Sequence, residues 1–266
     1  MKWLIAASLA LAASPSSVSG WPGGARGAVV LTYDDAVPSQ LDHAVPALDA
    51  AGLKGTFFLS NVRPPDVDRW RAVAANGHEL GNHTLNHPCL AGTFDMPPRQ
   101  QLESHTVDSV LQEVTQQNVL LTALDGRPEH GFAVPCGQTV AGGKDYLEPL
   151  RQSELVTYSR TVSTDRPLVL VDGSTIDLMK LPGRGFTSPQ NANDLIGYAE
   201  QAVASGGLAV FVFHGVGGDY LPVTSDDHRR LIEWLAAHRQ SVWTTTMRDA
   251  VAYIDRHNRG ASGVDQ

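Results

Sequence analysis

The sequence predicts a single α/β domain in which strands and helices alternate about seven times. Short apolar runs rich in β-branched residues recur along the chain, and amphipathic stretches that end at glycine separate them. The alternation continues without a linker, and 266 residues are enough for one large domain, because α/β barrels often use about 250 residues. These observations favour a (β/α) barrel over an open, doubly wound sheet.

Residues 1–20 are predicted to be a secretory signal peptide. Lys2 precedes an apolar stretch of roughly a dozen residues, and small residues follow as far as Gly20, near which we expect cleavage. That stretch is short for a transmembrane helix, and no later segment has the ~18 uninterrupted apolar residues that a membrane span needs. We therefore expect a secreted or periplasmic protein.

The rest of the chain, 21–266, is predicted to form one domain that ends in a polar tail, 257–266. The chain carries a net charge of −8, and its Lys and Arg residues are scattered. Because nucleic-acid binding needs a basic patch, this charge disfavours nucleic acid as a partner. The sequence indicates no protein partner.

The first half of the chain is predicted to contain four strands and three helices. The strands are expected at 28–32, 55–59, 78–82 and 132–134. The helices are expected at 39–51, 67–75 and 97–122. Gly52 and Gly77 mark the ends of the first two helices, because glycine is favoured just beyond a helix C-terminus.

The second half continues the alternation. Its strands are expected at 155–158, 175–181, 208–213 and 242–245. Its helices are expected at 145–153, 191–204, 226–238 and 247–256. The segment 182–185 is predicted to be a glycine-rich loop, and the strongly apolar strand at 208–213 leads directly into His214.

Asp34 and Asp35 come just after the first predicted strand, separated from it by Tyr33. Polar residues at the carboxyl end of a buried parallel strand lie where such proteins usually place their chemistry. Aspartate is also common in turns and at helix N-caps. The pair alone therefore leaves a functional and a structural interpretation open.

His83 and His87 are four residues apart, a spacing at which one helical turn directs both imidazoles to a common point. With a carboxylate from another strand end they would form a two-His, one-carboxylate set, which binds Zn²⁺ or Fe²⁺ and leaves positions for water and substrate. Surface or capping histidines have the same spacing. For His214, the alternative is a buried histidine that bonds to a carbonyl.

The sequence resembles the polysaccharide deacetylase family with its NodB-homology domain, which is carbohydrate esterase family 4. The resemblance rests on three motifs in this order: Thr32-Tyr33-Asp34-Asp35, the pair of His83 and His87, and a strand that ends at His214. The resemblance covers roughly 28–254. It implies a distorted (β/α)7 barrel and a metal-dependent hydrolase that removes N- or O-linked acetyl groups from a glycan. The implied cofactor is Zn²⁺, with Co²⁺, Ni²⁺ or another divalent ion as alternatives.

The resemblance also implies a role for each motif residue. Asp35, His83 and His87 would hold the ion. Asp34 would be the general base, and His214 the general acid that protonates the departing group.

Three further residues are implied as substrate or oxyanion contacts. A backbone N–H near Cys136 would help to hold the developing oxyanion. Phe213 and Tyr220 would offer apolar and stacking surface to an acetyl group and a sugar ring.

Two motifs depart from the family pattern. Ala133 stands where the family usually has an Arg that pairs with the base, so we expect another cation to compensate. Arg160 is the first candidate and Arg184 the second, although a surface salt bridge is the alternative for each. The fourth motif, with its Asp and Trp, is absent from 157–162, and Asp177 becomes the candidate that orients His214.

The two cysteines each lie beside a motif, Cys89 two residues after His87 and Cys136 within the altered third motif. If both motifs meet at one site, the sulfurs come within bonding reach, and export permits a disulfide. We therefore predict a Cys89–Cys136 disulfide. A cysteine that acts as a fourth metal ligand is the alternative.

Other functions remain open. The altered motifs are compatible with a catalytically impaired glycan-binding protein of the same fold, or with a hydrolase of a non-glycan amide or ester. An Fe²⁺ oxygenase with the same ligand set is disfavoured, because those enzymes usually have β-sandwich barrels. No role is assigned to the remaining histidines, which are His43, His78, His105, His130, His228, His238 and His257.

Overall fold

The structure is a computed structural model that describes residues 20–163, 168–169 and 176–262. The predicted signal peptide, 1–20, lies outside these residues except for Gly20, as do positions 263–266 of the predicted tail. Among the described residues, no helix combines the length and the apolar character needed to cross a membrane.

The described residues form eleven strands and seven α-helices. The strands are β1 (Gly27–Asp34), β2 (Thr56–Leu59), β3 (Glu79–Asn82), β4 (Phe132–Ala133), β5 (Val140–Ala141), β6 (Lys144–Asp145), β7 (Ser159–Val162), β8 (Leu168–Val169), β9 (Leu181–Gly185), β10 (Leu208–Phe213) and β11 (Val242–Thr245). The helices are α1 (Val45–Ala50), α2 (Val67–Ala75), α3 (Val107–Asp125), α4 (Leu147–Ser153), α5 (Ala192–Ser205), α6 (Ser225–Ala237) and α7 (Met247–Ser262). A π-helical turn at Gln40–Ala44 leads into α1.

Seven parallel strands close into a barrel, which confirms the predicted fold class. Their order is β1, β2, β3, β4, β7, β9 and β10, and β10 pairs with β1 from Ala28↔Leu208 to Tyr33↔Phe213. Two further strands distort the barrel. The first half of β1 pairs with β11 and its end pairs with β2, whereas β8 lies antiparallel to β10.

Alternation along β1 separates two apolar cores. Val29 and Leu31 point outward into a core that the surrounding helices cover. Ala28 and Val30 point into the barrel, where residues of α7 also pack. The first amide groups of α7 donate to side chains at the start of β2 and of β3. Because α7 closes this end of the barrel, the site lies at the other end, where the strands terminate.

Two predicted elements lie elsewhere along the chain. The helix expected at 97–122 begins only at Val107, because Thr106 and Ser109 form a capping box there and short 3-10 turns precede it. The strand expected at 155–158 forms instead as β7, because its parallel pairing with β4 begins at Phe132↔Ser159.

The predictions around β9 and the C-terminus also need correction. Position 175 lies outside the described residues, 176–180 form a turn, and β9 includes the segment 182–185 that was predicted as a loop. Because β9 pairs with both β7 and β10, its ladders override the local preference of proline and glycine for turns. Helix α7 continues to Ser262, so part of the predicted polar tail, 257–266, is helical.

Candidate active site

Both carboxylates of the acidic pair lie at the carboxyl end of β1. Asp34 is the last residue of the strand, and its side chain follows the inward-facing Ala28 and Val30 at a period of two. Asp35 leaves the strand with a φ of 79°, which is uncommon for a residue other than glycine. The two side chains therefore take different directions and have different partners.

His83 and His87 lie on the loop after β3, and this loop is not helical, contrary to the prediction from their spacing. The side chain of Asn82 accepts the N–H of Thr84, and the Thr84 hydroxyl accepts the N–H of His87. These side-chain bonds take the place of helical backbone bonds. The two imidazole rings still meet, with their centroids 4.7 Å apart.

Asp35, His83 and His87 each direct one ligand atom towards a common point. Oδ1 of Asp35 lies 3.3 Å from Nε2 of His83 and 3.2 Å from Nε2 of His87, and the three atoms lie within 4.8 Å of one another. This Oδ1 is buried and has no hydrogen-bond partner among the described residues. A buried, unpartnered carboxylate oxygen that faces two imidazole nitrogens fits the donor set of a divalent ion.

The second nitrogen of each imidazole has a partner of its own. Nδ1 of His83 lies 2.8 Å from the carbonyl oxygen of Ala133, so the ring donates there and turns the lone pair of Nε2 towards Asp35. Nδ1 of His87 lies 3.6 Å from Sγ of Cys89. These contacts orient both rings for a ligand role.

Electrostatics favour the ligand forms of Asp35 and His87. Burial opposes a charge on Asp35, but the neighbouring imidazoles of His83, His87 and His214 outweigh it and hold the pKa of Asp35 below its usual range. Burial, followed by the charge on His83, lowers the pKa of His87 to about 4. Burial also opposes a charge on His83, but Asp34 and Asp35 outweigh it and raise the pKa of His83. A bound ion would therefore compete with a proton at His83.

Arg160 lies in the barrel interior beside Asp34. Its Nη2 donates to both carboxylate oxygens of Asp34 at 2.5 Å, and both side chains are buried. Its guanidinium also lies 5.2 Å from the centre of the Phe58 ring. Ala133 and Arg160 are register partners on neighbouring strands, so the cation lies one strand away from the position where the family has its Arg. Gly183 provides the space, because a Cβ there would lie 2.9 Å from Cδ of Arg160.

Two other predicted polar residues do not reach the site. Arg184, the second candidate cation, faces outward, with its guanidinium 5.0 Å from the centre of the Phe186 ring and 5.2 Å from that of Tyr198. Asp177 accepts two hydrogen bonds of 2.9 Å from Arg151 on the surface. The expectation that Asp177 orients His214 is therefore wrong.

Phe213 points away from the site. Its side chain is fully buried in the outer core, where it stacks on Tyr33 and Phe211. Neighbouring residues of β10 face opposite sides of the barrel wall, so the strand that directs His214 to the site turns Phe213 outward. The prediction that Phe213 contacts substrate is wrong.

His214 and Tyr220 approach Oδ2 of Asp35, whereas His83 and His87 approach Oδ1. Nε2 of His214 lies 3.7 Å from Oδ2 of Asp35, and the hydroxyl of Tyr220 donates to the same oxygen at 2.5 Å. Burial, followed by the charge of Asp35, raises the pKa of Tyr220 far above its usual value. Its phenol therefore remains a hydrogen-bond donor.

Gln40 is a residue of the site that the sequence analysis missed. Its buried side-chain amide donates to the carbonyl oxygen of Asp34 at 2.5 Å and to that of His214 at 3.1 Å, and so ties the ends of β1 and β10 together. The sequence signal that could have identified Gln40 was a polar residue close to the acidic pair, just before the apolar face of the following helix.

The predicted Cys89–Cys136 disulfide is present. It joins the loop that carries His87 to the segment after β4. Because each sulfur is bonded to the other, neither is a thiolate that could act as a fourth metal ligand. A contact between the N–H of Cys136 and an oxyanion remains a prediction.

A seven-stranded parallel barrel that gathers two carboxylates and three histidines at its strand ends is typical of a barrel hydrolase. The sequence model of the family described as polysaccharide deacetylase matches residues 23–151, which contain Asp34, Asp35, His83 and His87. Over this stretch, slightly less than half of the chain, the sequence matches the polysaccharide deacetylase family, which supports a deacetylase.

Solved structures share this fold at low sequence identity. A Mycobacterium smegmatis protein described as a polysaccharide deacetylase is 16% identical, with a TM-score of 0.65 and coverage of 91% of this chain and 95% of that chain. The catalytic domain of a peptidoglycan N-acetylglucosamine deacetylase from Eubacterium rectale is 16% identical, with a TM-score of 0.56 and coverage of 87% and 94%. A gellan lyase from Bacillus sp is 31% identical over 122 residues, which are 46% of this chain but only 4% of that protein.

Proposed function

We propose that the protein is an exported, metal-dependent hydrolase that removes N- or O-linked acetyl groups from a carbohydrate. The observation that carries the proposal is the buried, unpartnered Oδ1 of Asp35 between the Nε2 atoms of His83 and His87. Asp34 lies directly beside this ligand set, with Oδ2 3.8 Å from Nε2 of His83. A potential ligand set and a potential base therefore share one site.

Asp35, His83 and His87 would hold the ion. Two imidazoles and one carboxylate suit Zn²⁺, and Co²⁺ or Ni²⁺ accept the same donors. When bound, such an ion polarises an acyl carbonyl and lowers the pKa of a coordinated water.

Asp34 is the proposed general base. Its carboxylate accepts the proton of the attacking water, and Arg160 holds both of its oxygens through a single nitrogen. The guanidinium keeps the carboxylate in one orientation within the barrel, and its charge offsets the cost of burying an anion. Arg160 thus supplies the cation that Ala133 does not.

His214 is the proposed general acid. Its Nε2 approaches Oδ2 of Asp35, whereas the other two histidines approach Oδ1, and Gln40 holds its backbone carbonyl in place. From this position the imidazole would donate a proton to the amine or alcohol that leaves. The backbone N–H of Cys136 is the proposed additional donor to the oxyanion.

The contact between Arg160 and Asp34 favours turnover over a purely glycan-binding role. The alternative of a catalytically impaired glycan-binding protein depended on the loss of the Arg that pairs with the base. In this protein the buried guanidinium of Arg160 contacts the carboxylate of Asp34, the proposed base. An acetylated glycan is accordingly the proposed substrate.

Acetate release by purified, Zn²⁺-loaded protein tests the proposal. Chitooligosaccharides, peptidoglycan fragments and acetylated xylan are the glycan substrates, and a small acetylated amide and ester are the non-glycan comparison. We expect acetate from at least one glycan. Turnover of the small substrates alone would refute the glycan assignment, and no turnover with tight glycan binding would favour the binding protein.

Two variants test the division of roles. Asp34→Asn should abolish acetate release and leave bound zinc, measured by elemental analysis, unchanged, because the residue is proposed as base and not as ligand. His83→Ala should lose both, and His238→Ala, at an exposed position on the surface, should lose neither. Full turnover by Asp34→Asn would contradict the assignment of the base.

Export has a separate test. Mass spectrometry of the protein recovered outside the cytoplasm should give an N-terminus close to Gly20. An intact Met1 on that protein would contradict cleavage of a signal peptide.

A further inference from the structure

The loop 215–223 after β10 folds back on itself and fixes the backbone of Tyr220. The N–H of Gly215 donates to the carbonyl of Tyr220 at 3.2 Å, and the N–H of Val223 donates to the carbonyl of Gly215 at 3.1 Å. This close approach requires glycine at 215, because a Cβ there would lie 1.9 Å from the carbonyl oxygen of Gly218.

A second set of bonds ties this loop to the segment that follows the acidic pair. The carboxylate of Asp219 accepts the N–H of Ser39 at 2.8 Å, and the Ser39 hydroxyl accepts the N–H of Val216 at 3.1 Å. The loop is thus held at Val216 and at Asp219, the residue next to Tyr220. Tyr220 itself remains half exposed, so its position is set by the loop and not by burial of its ring.

The phenol of Tyr220 contacts one oxygen of Asp35 and leaves the other free. Its hydroxyl donates to Oδ2 at 2.5 Å, whereas Oδ1 faces His83 and His87. A carboxylate held at one oxygen presents the other in a fixed direction. Without that bond, the group could rotate or present both oxygens to an ion.

We infer that Tyr220 is a positioning residue for Asp35. Its phenol holds Oδ2 of Asp35, so that Oδ1 remains directed towards His83 and His87, where the ion would bind. The inference rests on the proposed metal-dependent function. In this role Tyr220 orients a proposed metal ligand, in addition to the sugar contact expected from the sequence. Hydrogen bonds of this kind to a metal ligand typically change metal affinity by about 10–100-fold.

A Zn²⁺ affinity measurement tests the inference without reference to turnover. Metal-free protein is titrated with Zn²⁺ in competition with a chromophoric chelator, for the wild type, Tyr220→Phe and Tyr253→Phe. Tyr253 is the matched control, because it loses a phenol hydroxyl where the ring packs on Trp21 and Trp243, away from the site. The thermal unfolding of each metal-free variant establishes that it is folded.

We expect Tyr220→Phe to bind Zn²⁺ about 10–100-fold more weakly than the wild type, and Tyr253→Phe to bind it equally well. Equal Zn²⁺ affinity of Tyr220→Phe and the wild type would overturn the inference. Loss of acetate release at equal Zn²⁺ affinity would show that the phenol acts on the substrate instead. A wild type that binds no Zn²⁺ would overturn the inference together with the proposed function. The two failures are therefore distinguishable.

Discussion

Replacing Arg160 by methionine removes the cation beside Asp34 and keeps most of the side-chain volume. The guanidinium donates to both oxygens of Asp34 through Nη2, whereas its Nε and Nη1 have no hydrogen-bond partner among the described residues. Methionine therefore leaves only one group without its partner, the carboxylate of Asp34.

The expected cost follows from the burial of this pair. The side chain of Arg160 is 0% exposed and that of Asp34 is 5% exposed, so water cannot take over the lost contact. Removing one partner of a buried ion pair typically costs about 3–5 kcal/mol, and loss of the cation–π contact with Phe58 adds to this. We expect the free energy of unfolding to fall by at least about 3–5 kcal/mol.

Urea titrations of the metal-free variants, extrapolated linearly to water, measure this change. Asp34→Asn in the Arg160→Met background should recover a large part of the loss, because the uncompensated charge is gone. Arg184→Met is the matched control, since its cation lies on two aromatic rings and should cost about 0.5–2 kcal/mol with no recovery by Asp34→Asn. A loss below about 1 kcal/mol, as for a surface pair, or a double variant no more stable than Arg160→Met, would refute the reasoning.

Two further predictions concern stability. Burial lowers the pKa of His228 to about 4, and the hydroxyl of Tyr33 lies 2.7 Å from Nε2 of His228. The contribution of the neutral, buried His228 to stability is therefore complete above pH 6.5 and is lost as the pH falls towards 4. His228→Gln should therefore lose less unfolding free energy between pH 7 and pH 4.5 than the wild type, by roughly 2–3 kcal/mol in urea titrations, and equal losses would contradict this. Replacing Cys89 and Cys136 by serine together should lower the thermal midpoint and cost about 2–4 kcal/mol, because the bond closes a loop of 47 residues. An unchanged midpoint would show that the bond contributes nothing to the fold.

The strand ends were predictable because apolar runs mark buried strands and polar residues follow them directly. Asp34, Asp35 and His214 were placed correctly at the ends of β1 and β10 on this basis. The same pattern should have excluded Phe213, since one residue along a strand reverses the side on which the side chain lies. The error came from treating neighbours in sequence as neighbours in the site.

The contacts that orient the site were harder to predict, because they join residues far apart in sequence. Gln40 bonds to a carbonyl 174 positions away, and His83 bonds to a backbone oxygen that carries no signature in the sequence. The position of Arg160 depended on a strand that begins at Ser159, which strand pairing decides and local preference does not. The loop at 83–87 was misjudged because side-chain bonds replaced helical ones there.

Strand β4 is two residues long, yet both imidazoles of the candidate metal centre depend on it. The carbonyl of Ala133 orients His83, and Cys136 is bonded to Cys89, next to the loop residue His87. A displacement of this strand end would move both rings together. Transplanting the two histidines into another barrel would therefore fail unless the short stretch 132–136 accompanied them, because the ligands share one support.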